Sequence, residues 1–263
     1  MDYSYWKKQG SDGPLFPDIE WSKPEQRDRA GKLGIIGGNT LGFAGVAEAY
    51  SVATQFGVGH TRVLLPSALK KTIPPIMTDV VFGANNPSGS LAKDALKEME
   101  AIGGWADGVL LVGDAGRSSE TAILYETFVS RYQGPLVVTR DAIDLIKNSP
   151  RALVERPDTL LVMSLAQLQK LLQSVYYPKV ITFSMQLIQL VETLHKFTLT
   201  YPVSVAVLHK DHLVIAVRGE VVTTGWDNPM AIWRGSVATK MAVYWLWNPE
   251  QELEAYATAL NTS

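Results

Sequence analysis

Gly34-Ile-Ile-Gly37-Gly38-Asn39-Thr-Leu-Gly42-Phe43-Ala44-Gly45 is the stretch whose reading decides the fold. It combines a buried strand end, a glycine-rich turn and the start of a helix. The helix face continues through Val46, Ala47, Tyr50, Ala53 and Thr54 to Gly57, and a second apolar strand, Arg62 to Pro66, follows at once. That order is a βαβ unit, which implies a parallel sheet and a right-handed crossover. In open α/β sheets ligands bind where strand ends meet helix N-termini, because amide N–H groups and the helix dipole converge there. Gly37 to Gly45 is therefore the first place to look for a ligand, although any tight β-to-α turn also uses glycine for its backbone freedom. A Rossmann dinucleotide site is the weaker alternative. The glycines are not spaced G-x-G-x-x-G, and no acid follows Leu65 to take a ribose hydroxyl.

Outward from this unit, the 263 residues are 46% hydrophobic and 19% charged, which describes a globular chain with a sizeable core. A net charge of −2 gives no general attraction to nucleic acid or to an anionic membrane. The absence of cysteine excludes disulfides, cysteine metal ligands and thiol nucleophiles. No apolar run follows Lys7 and Lys8, and none is of spanning length, so the expectation is a soluble cytoplasmic protein with no signal peptide.

Residues 1–29 are polar, rich in Pro and Gly, and carry Trp6, Phe16 and Trp21; they are expected to form an irregular arm, and residues 30–263 a single domain. Lys70 to Pro87 reads as irregular. Helices are expected over Ser90 to Ala101, ended by Gly103-Gly104, and from the Asp114–Glu120 turn to about Tyr132. Further helices are expected from Asp141 to before Pro150, over Ser164 to Ser174, and over Ser184 to Phe197. Strands are expected over Gly108 to Gly113, Pro135 to Thr139 and Thr159 to Met163. Val203 to Leu208, Leu213 to Val217 and Val221 to Thr224 form a β-meander. A helix over Ala231 to Trp247 and another over Pro249 to Leu260 complete the chain. Such alternation predicts an α/β sheet, mainly parallel and covered on both faces.

The order of these pieces resembles the ribokinase-like fold, and more specifically the ATP- or ADP-dependent NAD(P)H-hydrate dehydratase family, over about Ala30 to Trp247. The likeness is best at Gly31 to Asn39, Gly42 to Gly45, Phe56 to Gly59 and Val63 to Pro66. Val112-Gly113-Asp114-Ala115-Gly116-Arg117 resembles the family's Gly-Pro-Gly-Leu-Gly-Arg turn, one residue shorter. Val137 to Ile143 resembles its Leu-Asp-Ala-Asp-Ala-Leu segment with one acid, Asp141, kept. Asn228-Pro229 and Gly235-Ser236 are what remains of its Asn-Pro-Gly and Gly-Gly-Ser-Gly-Asp motifs. The resemblance implies a three-layer α/β/α sandwich and homo-oligomers. It also implies ATP or ADP with Mg as phosphoryl source, and NAD(P)H hydrate as substrate. Gly37, Gly38, Asn39, Gly45, Gly113, Gly116, Arg117, Arg234, Gly235 and Ser236 are then the candidate nucleotide-binding residues.

That chemistry needs a carboxylate base and N–H donors at a helix N-terminus to hold the transferring phosphoryl group. Here the position matching the base is Val237, which accepts no proton. Trp233 and Arg234 stand where small residues would let backbone approach phosphate. Ser164 to Gln167 replaces the family's His-Pro-Gly-Glu element, and His209 replaces the lysine of its Lys-Gly turn. A lost base typically costs ~10²–10⁴ in rate.

Asp227 and Asp141 are the candidates for a relocated base; the alternatives are a loop cap for Asp227 and, for Asp141, an N-cap of a helix over Ala142 to Lys147. Asp114 and Arg117 stand at a strand-to-helix turn, either facing phosphate or forming an exposed ion pair. His209, Asp211 and His212 crowd one turn, as a metal site or, on chemical grounds better, a solvated turn. Trp226, Trp233, Trp245 and Trp247 fill an emptied groove, close a subunit interface or stack on a base. Three functions fit: an impaired relative that still binds a nucleotide, a working dehydratase or small-molecule kinase with a relocated base, and a structural subunit.

Overall fold

The computed structural model describes residues 3–10, 13–146 and 148–261. Its first half runs β1 (Trp6–Gln9), α1 (Pro17–Glu20), β2 (Lys32–Gly37), α2 (Ala44–Phe56), β3 (His60–Pro66), β4 (Val80–Gly83), α3 (Leu96–Trp105), β5 (Gly108–Gly113) and α4 (Ser119–Arg131). Next come β6 (Leu136–Thr139), α5 (Asp141–Leu145), α6 (Pro150–Val154), β7 (Thr159–Ser164), α7 (Leu165–Ser174) and α8 (Leu187–Thr200). The meander β8 (Ser204–His209), β9 (His212–Val217) and β10 (Glu220–Gly225) precedes α9 (Pro229–Arg234), α10 (Ser236–Trp247) and α11 (Glu252–Thr258).

Among the described residues these strands form one ten-stranded sheet, ordered β1-β10-β9-β8-β7-β6-β5-β2-β3-β4. From β4 to β8 all pairs are parallel, and β8-β9-β10 is antiparallel. On one face α2, α10 and α11 bury Val46, Met241 and Tyr256 against Ile35, Leu65 and Val112. On the other, α3, α4, α7 and α8 bury Met99, Phe128, Leu168 and Phe197 against Leu64, Leu111 and Val207. Strands covered on both sides must be apolar throughout, which is why Val109 to Val112 form an unbroken run.

The chain leaves β2 toward β3 and β4, then returns to β5 on the other side of β2, so the switch point lies between β2 and β5. There the register shifts after Ile36, and the Gly38 N–H donates to the Gly113 carbonyl at 2.8 Å. A Cβ at Gly37 would stand 2.3 Å from that carbonyl, so glycine is required by the strand approach itself.

The βαβ unit, strands β5 to β7 and the meander lie where the sequence puts them. The Ser164–Gln167 capping box also forms, with Gln167 N to Ser164 Oγ at 3.2 Å and Ser164 N to Gln167 Oε1 at 3.1 Å. Several expectations are corrected. The arm is not irregular throughout: β1 pairs in parallel with β10, and Trp6 Nε1 donates to Thr223 Oγ1 at 2.9 Å. Four residues at a sheet edge carry too little alternation to announce themselves. Phe16 packs against the core, whereas Trp21 is 87% exposed. Lys70 to Pro87 contains β4. Gly103 and Gly104 lie inside α3, and a Cβ at Gly103 would meet the Tyr132 ring at 3.0 Å, so close packing rather than a helix stop accounts for that glycine. Pro150 opens α6, a position where its missing N–H costs nothing. The expected Ala231–Trp247 helix is split by Gly235 at φ +90°. The final helix is shorter than expected, and Lys147 lies outside the described residues.

At the far end of the sheet Arg156 ties α4 to β7. It donates to Tyr132 O at 2.7 and 3.1 Å, Asp158 O at 3.0 Å, Thr159 Oγ1 at 2.7 Å, and also to Gly134 O. Arg156→Ala leaves these acceptors unpaired and is expected to lower unfolding free energy by about 2–4 kcal/mol. Urea unfolding measures it, with Arg156→Lys recovering less than half because an ammonium lacks the fork. A loss below about 0.5 kcal/mol, the level of ordinary surface changes, would show that water replaces the guanidinium.

Candidate functional site

Two non-glycine residues with positive φ stand at the ends of the strands flanking this crevice: Asp114 (φ +52°) after β5 and Arg140 (φ +57°) after β6. With ψ −140°, Arg140 occupies a region that side chains avoid, a strain of order 1–3 kcal/mol. Surrounding contacts hold both. The Asp114 carboxylate accepts the Gly45 N–H at 2.5 Å and pairs with Arg140 Nη2. Arg140 Nη1 donates to the Arg234 carbonyl at 3.3 Å, beside the start of α10. The Asp141 carboxylate accepts N–H groups of Asp114 at 2.7 Å and Ala115 at 3.1 Å. Asn39 Nδ2 donates to Asp114 O at 2.6 Å, and Gln167 Nε2 donates to Arg140 O at 2.8 Å and Asp144 Oδ2 at 2.9 Å.

This network explains two of the sequence's glycines. A Cβ at Gly45 would stand 2.1 Å from Arg140 Nη1, and one at Gly113 would stand 2.1 Å from Asp141 Oδ1. The first turn of α2, where an anion was expected, already faces one: Asp114. Gly37 and Gly38 close the β2–β5 contact. Gly116 and Arg117 lie on the turn before α4, with Arg117 exposed and in no ion pair among the described residues. Gly235 separates α9 from α10, and the Ser236 hydroxyl donates to Ala231 O at 2.9 Å. Val237 is 1% exposed and belongs to the core. Arg234 is exposed, and Asp227 is exposed on the loop before α9, away from the clefts described below.

Other expectations change. Asp141 is not an N-cap: Arg140 precedes the helix, and the Asp141 carboxylate turns back to the β5–α4 loop. Asp114 pairs with Arg140 instead of Arg117. His209 is 2% exposed, not solvated, and its Nε2 lies 2.9 Å from Met185 O, while Asp211 pairs with His212 at 2.8 Å. Among the described residues no three His, Asp or Glu side chains converge to hold a metal. Trp245 packs edge-on to Tyr256, Trp247 donates to Ala30 O at 3.1 Å and Trp226 to Asn228 O at 2.7 Å. Trp233, by contrast, lines a cleft.

That cleft, about 860 Å³, opens at the ends of β6, β7 and β8 and is bounded by Arg140, Asp141, Phe183, Lys210 and Trp233. A second, about 560 Å³, lies at the α4 start among Asn39, Asn86, Ser90 and Arg117. A third, about 900 Å³, runs between α4, α5, α6 and α7 and also includes Asp141. Burial raises the Asp141 pKa above the ordinary carboxylate range, partly offset by the two N–H groups it accepts. Arg140 escaped sequence reasoning because it matters through residues far along the chain; its only local signal was an arginine at a strand-to-helix junction.

A mainly parallel sheet with this order, covered on both faces and with a short meander, is the ribokinase-like fold. No protein-family model matches the sequence, and no curated protein matches it. Solved structures do. A ribokinase-like superfamily protein from Enterococcus faecalis is 14% identical with TM-score 0.73, over 99% of this chain and 87% of that one. An ADP/ATP-dependent NAD(P)H-hydrate dehydratase from Bacillus subtilis, co-crystallized with ATP/Mg²⁺ and soaked with CoA, is 11% identical with TM-score 0.60, over 95% and 86%. Phosphomethylpyrimidine kinase from Clostridium difficile is 13% identical with TM-score 0.53, over 88% and 96%. At these identities the likeness is one of fold.

Arg140→Ala strands the Asp114 carboxylate and is expected to destabilise the fold by about 2–4 kcal/mol. Arg140→Gly, equally without the guanidinium, is expected to lose about 1 kcal/mol less because glycine relieves the backbone strain; equal losses in chemical denaturation would dismiss that strain. With its folded-state pKa raised, Asp141 holds an extra proton between the ordinary Asp value and the raised one. Stability therefore falls as pH rises through that window, and Asp141→Asn flattens the slope in Tm against pH.

Proposed function

We propose that this chain is a divergent relative of the NAD(P)H-hydrate dehydratases that binds a nucleotide in the 860 Å³ cleft without turning over the family's reaction. The observation that carries the reading is the pairing of an open, aromatic-walled cleft with a buried valine at the position of the base. Trp233, 56% exposed, and Phe183, 65% exposed, offer faces on which a base stacks. Lys210 stands on the same cleft as a cation, beside the Arg140–Asp114 pair and the carboxylates of Asp141 and Asp144. An adenine nucleotide fits this set of groups. Magnesium does not: Asp114 is taken by Arg140 and Gly45, Asp141 by two backbone N–H groups, and Asp144 by Gln167. Val237 cannot accept the substrate hydroxyl's proton, and Arg140 fills the approach to α10 that phosphoryl transfer would use.

One observation favours a second reading, a working enzyme with a relocated base. Asp141, with its raised pKa, lines two of the clefts. Its two oxygens already accept the Asp114 and Ala115 N–H groups, which commits the carboxylate to the loop after β5. Cytoplasmic location and homo-oligomers belong to the proposal; no helix among the described residues is long and apolar enough to cross a membrane.

Calorimetry with ATP, ADP, NADH and NADPH tests the reading. Binding of at least one is expected, weakened about tenfold in Trp233→Ala by the lost stacking; silence from all four sinks it. Hydrated NADH with ATP or ADP is expected to remain unconverted. Conversion abolished by Asp141→Asn would establish the second reading instead.

A further inference from the structure

The 560 Å³ cleft at the start of α4 is separate from the 860 Å³ cleft proposed for the nucleotide, although Asn39, Gly116 and Arg117, which the resemblance assigns to a nucleotide, line it. Its wall is fixed by Asn86, 4% exposed, whose hydrogen-bonding capacity is fully used. Asn86 Oδ1 accepts the N–H groups of Ser88 and Ser90, each at 3.1 Å, and the Ser88 hydroxyl at 2.7 Å. Its Nδ2 donates to Ser118 Oγ at 2.9 Å and Thr121 Oγ1 at 3.1 Å. Thr40 N donates to Gly89 O at 3.0 Å, which fastens the Asn39–Gly42 turn to the same loop. The cleft is therefore preorganised before any ligand arrives.

What this wall presents is a set of donors beside one carboxylate, Glu120. Ser90 is 2% exposed, lines the cleft, and its hydroxyl has no partner among the described residues. The positive φ of Gly116 (+77°) brings backbone close to that hydroxyl: a Cβ there would stand 2.8 Å from Ser90 Oγ and cover it. The Arg117 guanidinium stands on the same cleft with no ion pair among the described residues. At the α4 N-terminus the Ser119 and Glu120 N–H groups precede the first intrahelical bonds, and the helix dipole adds positive potential. Ser118 Oγ accepts from Asn86 and is free to donate its own proton. The acidic side chain here, Glu120, is engaged with the Lys93 N–H at 3.1 Å.

A buried hydroxyl donor, a free guanidinium and helix N-terminal amides around one cavity are the complement of a tetrahedral oxyanion with several acceptor oxygens. We propose that this cleft binds the phosphate group of a small phosphorylated molecule, with Arg117 as the charged anchor and Ser90 as the buried donor.

The test uses the full chain with inorganic phosphate and pyrophosphate as probes, followed by calorimetry at low salt. Saturable binding is expected, weakened tenfold or more in Arg117→Ala and severalfold in Ser90→Ala. Arg131→Ala, at the opposite end of α4, serves as the control and is expected to bind as the native chain does. ATP affinity is expected to be unaffected by Arg117→Ala, which separates this site from the aromatic cleft. No saturable binding of either probe, or binding undiminished in both Arg117→Ala and Ser90→Ala, overturns the proposal. So does citrate binding more tightly than phosphate.

Discussion

Where the chain reverses its course across the sheet, the Gly45 N–H points at the Asp114 carboxylate from 2.5 Å, and the same carboxylate holds the Arg140 guanidinium. Much of the crevice depends on this contact. A helix N-terminus at a topological switch point attracts an anion, and most proteins of this architecture leave that position to a ligand. Here the chain supplies the anion itself. The consequence spreads outward: Gly45 and Gly113 must lack side chains, Arg140 is held in an unfavourable backbone conformation, and Asp141 and Asn39 are fixed on Asp114 backbone groups.

This internal ion pair shapes what the crevice presents. On the β6–β8 side the aromatic faces of Trp233 and Phe183 remain open, while the start of α10 is crowded by Arg140 and backed by buried Val237. On the α2–α4 side lies a separate polar cleft lined by Ser90 and Arg117. Binding needs only complementary surface, whereas acid–base chemistry needs one carboxylate in one place.

Much of the fold was legible because its signals are local. Alternation of buried strands with helices, the two-residue turns of the meander and the Ser164–Gln167 capping box each rest on neighbours within a few residues. The failures have physical causes too. β1 is recognisable only beside β10, over 200 residues away. Gly103 reads as a helix stop until the Tyr132 ring is seen against it. Asp141 reads as a cap until its carboxylate is found on the loop after β5. At the site, the acids and glycines were visible, but their assignments were not, because Asp114 and Arg140 are 26 residues apart and Gly45 and Asp114 are 69 apart.

By itself the sequence determined the order of elements, the parallel sheet and the absence of an acid at residue 237. Those follow from side-chain periodicity and from the identity of a single residue. Only the tertiary structure decided which charge answers which. Strand ends that are remote in the chain meet at the switch point, and there electrostatics depends on distance in space. Arg140 became the partner of Asp114, and Arg117 has no ion pair among the described residues.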